Sequence, residues 1–370
     1  MDSIVYQLIA IMGIKSLFNW IRKNYPEVIE DTHLSQYSYM KVAIDISLYM
    51  HTFKAAAGDQ WITSFVNLIA CLRKNNLHCI FIFDGKSPPE KLETQMKRRE
   101  EREKRNDEVT GWEEDYEIYK DTCKISDRLI ALYEKVSNIP QKMERLLGTK
   151  KPKINMVIVD EYIKKKRKQL YSITPADFDR ARELFDILKV PYCTAPEEAD
   201  PMCADLCRSG LVDAVLSDDS DMMALGAPIF LTKLEIRSGD CKLVVHKTLL
   251  EAVEFSYEEF IDFCIMCGCD YNTNIPGVGP AKAYTHLVKH RTIDNIAKYT
   301  ELDTDVLNYV TCRRKLIDFP KKRVDVLYCG VPDFKVLERF SYKHNLNLNI
   351  HRLQVAFTIN TDIIFSDVDE

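Results

Sequence analysis

The chain has 370 residues, enough to bury a full core as one large domain or as two small ones. Its apolar content of 46% and charged content of 29% are those of an ordinary soluble globular protein, and no apolar run approaches the ~18 residues of a membrane span, so no membrane partner is expected. The formal net charge of -5 excludes a global positive field that would draw the chain to nucleic acid, so any such role must rest on local basic patches.

In chain order, the opening stretch from Met1 to Met12 is apolar but short and has no basic leader region, so no signal peptide is expected. Met40 to Ile44 reads as a buried strand that reaches Asp45. Trp61 to Leu72 carries the spacing of an amphipathic helix. Cys79 to Phe83 is a second strand, and it reaches Asp84. Glu90 to Arg105 is almost continuous charge, and the polar stretch beyond it ends in Lys164-Lys165-Lys166-Arg167-Lys168. That composition suits solvated helices over a surface better than a core. Phe178 to Leu188 is another amphipathic helix, and Val212 to Leu216 is a third strand leading into Ser217-Asp218-Asp219-Ser220-Asp221. Twelve scattered cysteines indicate free thiols in a reducing compartment. Cys264, Cys267 and Cys269 form C-x-x-C-x-C, but no second Cys/His pair at metal spacing completes four ligands, so a buried helix end is expected there.

Short buried strands alternating with helices predict an α/β fold with a central, mainly parallel sheet and flanking helices. Sites in such sheets form where strands end at their carboxyl edge. Three acidic strand ends therefore point at one crevice. The candidate acids are Asp45, Asp84, Glu198, Asp200, Asp219, Asp221 and Asp270. Glu198 and Asp200, like Asp219 and Asp221, are acid-x-acid pairs whose members point to one side of an extended chain. One such pair alone reads more readily as a solvated loop or a helix cap. Two pairs and three further acids in one cleft would repel each other and need cations to stay ionised. Oxygen ligands without His or Cys select Mg²⁺, with Mn²⁺ as a substitute. Two such ions ~4 Å apart can clamp the attacking and leaving oxygens of a phosphodiester.

Further on, Ile275-Pro276-Gly277-Val278-Gly279-Pro280-Ala281-Lys282 places a G-x-G turn at a helix start. Gly277 and Gly279 would offer backbone N–H groups to a phosphate, with Lys282 close by. The other reading is a tight turn between two helices. The basic run Lys164 to Lys168 stands for three alternatives: a nucleic-acid contact, a nuclear-import signal, or a solvated face.

Six blocks, in matching order and spacing, together resemble the flap endonuclease/RAD2/exonuclease 1 family. They are Met12-Gly13-Ile14-Lys15-Ser16-Leu17, Val42 to Asp45 with His51, Phe83-Asp84-Gly85-Lys86 with Lys91, Ala195 to Asp200, Ser217 to Asp221, and Gly268-Cys269-Asp270-Tyr271 with Gly277 to Pro280. The resemblance spans Met12 to about Phe357, apart from the middle. It implies a PIN-like nuclease core with a helical arch insertion and a C-terminal helix-two-turn-helix region. The organisation it implies is a 1–11 extension, a 12–104 nuclease region, a 105–170 charged arch, a 171–271 nuclease region, a 272–357 helix-two-turn-helix and cap, and a 358–370 tail.

It further implies a two-metal-ion nuclease acting on branched or flapped DNA. Lys91 would contact the scissile phosphate, Arg98 stands where the family places a catalytic arginine, His51 would stack on a flipped base, and Gly13 would lie near the junction. Lys168 aligns with an arch lysine, and a K⁺ ion would sit at the helix-two-turn-helix. Departures are Asp200, one methylene shorter than the family's Glu; His51, where flap endonucleases usually have Tyr; Ser172, where another base is often found; and the lack of a C-terminal Q-x-x-L-x-x-F-F box, so no sliding-clamp partner is expected. A monomer in the nucleus is expected, or in the cytoplasm if the chain is viral, with translation starting at Met12 or residues 1–11 swinging out of the crevice. An RNA 5′-nuclease on the same fold and a non-catalytic junction scaffold are the rival readings.

Overall fold

The structure, a computed structural model, describes residues 13–137, 154–325 and 328–358. The expected 1–11 extension, the start at Met12 and nearly all of the 358–370 tail lie outside these residues. The chain forms two compact units, Met1–Leu92 with Ile173–Glu370, and Glu93–Ser172.

The first unit is built on a mixed sheet whose seven strands, among the described residues, are β1 (Ile29–His33), β2 (Lys41–Asp45), β3 (His78–Phe83), β4 (Tyr192–Thr194), β5 (Ala214–Leu216), β6 (Ile229–Thr232) and β7 (Asp240–Val245). Their order is β1-β7-β6-β5-β2-β3-β4. The β6, β5, β2, β3 and β4 strands run parallel, whereas β7 is antiparallel to both β6 and β1. The mainly parallel expectation therefore describes the centre, and the two-strand antiparallel edge is an addition to it.

The sheet separates two apolar layers. Ala43, Ile80, Ile82 and Val215 enter one, while Val42, Ile44, Phe81, Phe83 and Leu216 enter the other. This alternation follows from the two-residue period of a strand. A one-residue slip of β2 would exchange the layers for every side chain on it, so burial on both faces pins the register and, with it, the place of Asp45 at the strand end. The helices of this unit are α1 (Leu17–Asn24), α2 (Ile46–Ala57) and α3 (Trp61–Lys74), then, beyond the second unit, α7 (Pro175–Leu188) to α16, with α8 at Ala199–Arg208, α9 at Asp221–Ala224, α10 at His246–Val253, α11 at Tyr257–Cys267, α12 at Pro280–His290, α13 at Ile293–Tyr299, α14 at Tyr309–Ile317, α15 at Phe334–Lys343 and α16 at Ile350–Phe357. Local chemistry sets their starts. Thr174 and Asp177 form a capping box with Pro175 at the first turn of α7, and Ser256 and Glu259 form another on α11.

The second unit holds α4 (Leu92–Thr122, whose first residue still belongs to the first unit), α5 (Asp127–Ser137) and α6 (Met156–Gln169). It is not a set of solvated helices alone, as its composition suggests. Val109, Trp112, Leu129, Leu132, Tyr133, Met156, Val159 and Ile163 are buried together as an interior of its own. The charged run from Glu90 to Arg105 hides this because the apolar residues lie beyond it, on the later part of α4 and on α5 and α6, and they meet only when three helices fold together. Among the described residues, no helix is long and apolar enough to cross a membrane.

Candidate active site

Parallel strands that stop together leave their carboxyl ends on one edge, and the next residue of each chain segment stands there. Asp45 ends β2 and caps α2, accepting from the Ser47 N–H at 2.7 Å and the Leu48 N–H at 3.4 Å. Asp84 follows β3; it accepts from the Ser47 hydroxyl at 2.5 Å and from the Ala199 N–H at 2.9 Å. Glu198 caps α8 and Asp200 lies in its first turn. Asp219 and Asp221 follow β5, with the Asp221 N–H donating to Asp219 Oδ1 at 2.9 Å. Asp270 comes just after α11. The loops holding Asp84 and Glu198 are laced by backbone: the Gly85 N–H donates to the Glu197 carbonyl at 2.6 Å, and a Cβ at Gly85 would stand 2.1 Å from the Ala195 carbonyl oxygen.

The electrostatics show that these acids share one crevice. Burial first, then Asp84 and Asp219, push the Asp45 carboxyl well above the usual carboxylate range, against its two backbone hydrogen bonds. Burial, then Asp45, Asp219, Asp221 and Asp84, do the same to Asp200. Asp221 is pushed up by burial and then by Asp219 and Asp270. Asp200 and Asp221 are half-buried, yet Oδ1 of each is sealed from solvent without a hydrogen-bond partner. Unsatisfied, mutually repelling carboxylate oxygens lined up on a protein edge fit a hard divalent cation. Among the described residues no three acidic, His or Cys side chains already stand as a closed metal cage.

At the other end of the row the counter-charge is Lys91. It ends a short turn, Pro89–Lys91, and its ammonium pairs with Glu198 and, at 3.1 Å, with Asp270. Burial lowers its proton affinity, but Glu198 and Asp270 outweigh that and hold it charged. The Tyr271 hydroxyl donates to the second oxygen of Glu198; burial and then that carboxylate drive the phenol far above its ordinary range. Both oxygens of Glu198 are thus engaged.

The residue before this machinery is placed just as tightly. Gly13 has φ of 76°, and a Cβ on it would meet Asp219 Oδ1 at 2.0 Å. The Lys15 N–H reaches the Gly268 carbonyl at 3.0 Å, and the Ser220 hydroxyl reaches the Ile14 carbonyl at 3.3 Å. The first described turn therefore lies on the acid loops.

The remaining predicted residues stand as follows. His51 is half-buried on α2, about two turns after Asp45. Gly279 caps α12 with Pro280 at its first position; Gly277 precedes it with φ of 74°, and Lys282 is exposed in the first turn. Arg98 is exposed on α4 and Lys168 is exposed in the last turn of α6, both within the second unit. Within the basic run, Arg167 is a structural residue: its guanidinium grips Glu113 with two bonds and reaches Asn106 and Thr110 at 2.8 Å each, tying α6 to α4. Cys264, Cys267 and Cys269 are buried free thiols at the end of α11, as the helix-end reading expects. Sequence reasoning passed over Ser47 and Tyr271. Ser47 stands two residues after the first acid, where its N–H and hydroxyl serve two carboxylates. Tyr271 sits beside the last acid, and that adjacency was the available signal.

Sheet order, acid-lined edge and capping glycine turn together define a PIN-like nuclease architecture. The catalytic core of Rad2, solved in complex with DNA substrate, shares the fold with a TM-score of 0.65 at 17% identity, over 93% of this chain and 98% of that one. The XPG N-terminal domain matches residues 12–105 and the XPG I-region matches residues 189–270. The probable RAD2-like endonuclease 076L of invertebrate iridescent virus 3 is 32% identical over 331 residues, 82% of this chain and 84% of that protein. Flap endonuclease 1 of Lodderomyces elongisporus is 28% identical, over 80% of this chain and 71% of its own length. This chain belongs to the XPG/RAD2 family of nucleases.

Proposed function

We propose that the chain is a Mg²⁺-dependent, structure-specific nuclease that hydrolyses DNA at 5′ flaps or junctions. The observation that carries this reading is the carboxylate row at the sheet edge, with the sealed Oδ1 atoms of Asp200 and Asp221 facing no donor. The names of the relatives, a RAD2-like endonuclease and a flap endonuclease, and a Rad2 core solved with DNA support it.

Bound Mg²⁺, or Mn²⁺ in its place, supplies charge neutralisation and Lewis acidity toward a phosphodiester. Asp45, Asp84, Glu198, Asp200, Asp219, Asp221 and Asp270 would hold two such ions. Lys91 brings a fixed positive charge to the same edge and would stabilise charge building on the phosphate. The α12 start offers the N–H groups of Gly277 and Gly279 and the Lys282 ammonium to a duplex backbone without reading sequence, while the Val278 N–H is already used on the Ile275 carbonyl at 3.1 Å. A K⁺ ion at that turn belongs to the same proposal. Arg98 is proposed as a second catalytic charge toward the phosphate, His51 as a stacking contact to a flipped base, and Lys168 as a contact to the single strand. The chain is proposed to act as a monomer without a clamp partner. It is proposed to act in the nucleus, or in the cytoplasm if viral.

Cleavage of matched DNA and RNA 5′ flaps, with Mg²⁺ and with chelator, tests the reading. Mg²⁺-dependent cutting of the DNA flap at the junction is expected. Cutting of RNA alone would make it an RNA nuclease, and tight flap binding without cutting would make it a scaffold.

A further inference from the structure

Lys315 lies on α14, far along the chain from the acid motifs, and its ammonium is 3.2 Å from Glu90 Oε2 and 3.2 Å from Glu197 Oε2. Glu90 immediately precedes Lys91, and Glu197 immediately precedes Glu198. One cation therefore ties together the two loops that carry the Lys91–Glu198 ion pair. Its side chain is only 11% exposed, so these pairs are screened less than surface ones. Arg314 also reaches Glu90, at 2.8 Å, but it is 60% exposed and contributes little by comparison.

The helix that presents Lys315 is itself fixed. Cys312 and Leu316 are buried in the apolar layer below. The guanidinium of Arg313 grips both oxygens of Asp262, at 2.7 and 2.6 Å, and Asp262 is 1% exposed. A lysine held on so rigid a post sets a position rather than following one. Glu90 and Glu197 are not among the seven candidate acids, so nothing in that row announces the clamp.

We propose that Lys315 is a positioning residue: through Glu90 and Glu197 it sets where the Lys91 ammonium and the Glu198 carboxylate stand. The proposal rests on the nuclease reading of the site. Without the clamp, the turn Pro89–Lys91 keeps its one backbone bond to Pro88, from the Lys91 N–H, but loses its anchor on α14. Lys91 would then spend more time away from Glu198 and Asp270.

Two readouts test this on the full chain. Lys91 is acylated with an amine-reactive ester in the absence of metal and followed by mass spectrometry, and single-turnover cleavage of a 5′ DNA flap is followed with Mg²⁺. Lys315→Met should raise Lys91 labelling several-fold and lower the single-turnover rate by about tenfold, with flap affinity kept within about twofold. Lys315→Arg, which keeps the charge, should restore most of both. Glu90→Gln with Glu197→Gln should reproduce the Lys315→Met effects, and combining all three should add nothing; this pair decides the matter alone if Lys315→Met does not fold. Unchanged labelling, or changed labelling with an unchanged rate, overturns the proposal. Weaker flap binding with unchanged labelling would make Lys315 a DNA-contacting charge and also overturns it. A wild-type chain that leaves every flap intact refutes the nuclease reading instead, and the labelling arm still decides the role of Lys315.

Discussion

Gly13→Ala puts a methyl group where the acid loop already stands. The new Cβ would lie 2.0 Å from Asp219 Oδ1, 2.6 Å from Ser220 Oγ and 2.9 Å from Asp221 Oδ1. Carbon and oxygen need roughly 3 Å or more, so the Asp219 carboxylate must retreat by about 1 Å. In doing so it gives up the 2.9 Å hydrogen bond from the Asp221 N–H, a loss of about 1 kcal/mol. The backbone at 13 is left-handed, with φ of 76°, which costs an L residue about 1–2 kcal/mol more. We expect a destabilisation of about 2–3 kcal/mol in urea unfolding. The catalytic loss should be larger in proportion, since a 1 Å misplacement of a working group costs on the order of 100-fold in rate. Single-turnover cleavage of a 5′ DNA flap across a Mg²⁺ series measures it, and the Mg²⁺ requirement should rise together with the loss. A variant that cuts within about threefold of wild type at the same Mg²⁺ midpoint would refute the argument that Gly13 abuts a working carboxylate.

Asp219→Ala should abolish cleavage yet bind a flap at least as well as wild type, because a repelling charge leaves the crevice; near-normal cutting at saturating Mg²⁺ would sink the acid row as drawn. Lys91→Ala should raise the single-turnover barrier by roughly 2–4 kcal/mol with little change in affinity, whereas a purely salt-dependent binding defect would make it a backbone-tracking charge. His246 is kept neutral, with burial pushing its imidazole down to about 4 from 6.5. The folded state is thus favoured above pH 6.5 and loses that advantage as pH falls toward 4, so His246→Gln should remove about 2–3 kcal/mol of the pH dependence of unfolding between pH 7 and about pH 4. An equal slope in wild type and variant would contradict this.

The middle of the sheet and its acids were legible in the residues because β2, β3 and β5 are apolar on both faces and each runs into an aspartate. The edges were not. Ile29–His33 is largely polar and Tyr192–Thr194 is three residues long, and both become strands only through the neighbours they pair with. β6 and β7 have no acid at their carboxyl ends to mark them. The Asp45, Asp84 and Asp221 positions follow from strand ends and spacing, whereas Lys315 acquires its partners through tertiary contacts alone, more than a hundred residues from Glu197. The interior around Trp112 was masked for a different reason: a helix with a few apolar residues in a sea of charge reads as solvated until its partners are known.

That interior bears on what the word stability means for this chain. A block of helices with its own buried side chains is a separate candidate for cooperative opening, and a chain with two such blocks need not melt in one step. The three tryptophans divide along the same line, with Trp20 and Trp61 in the sheet-bearing unit and Trp112 in the other. Replacing Trp112 by phenylalanine leaves fluorescence from the sheet-bearing unit alone, and replacing the other two leaves the helical unit to report on itself. Two denaturation curves, read one tryptophan set at a time, are the thermodynamic description this molecule calls for.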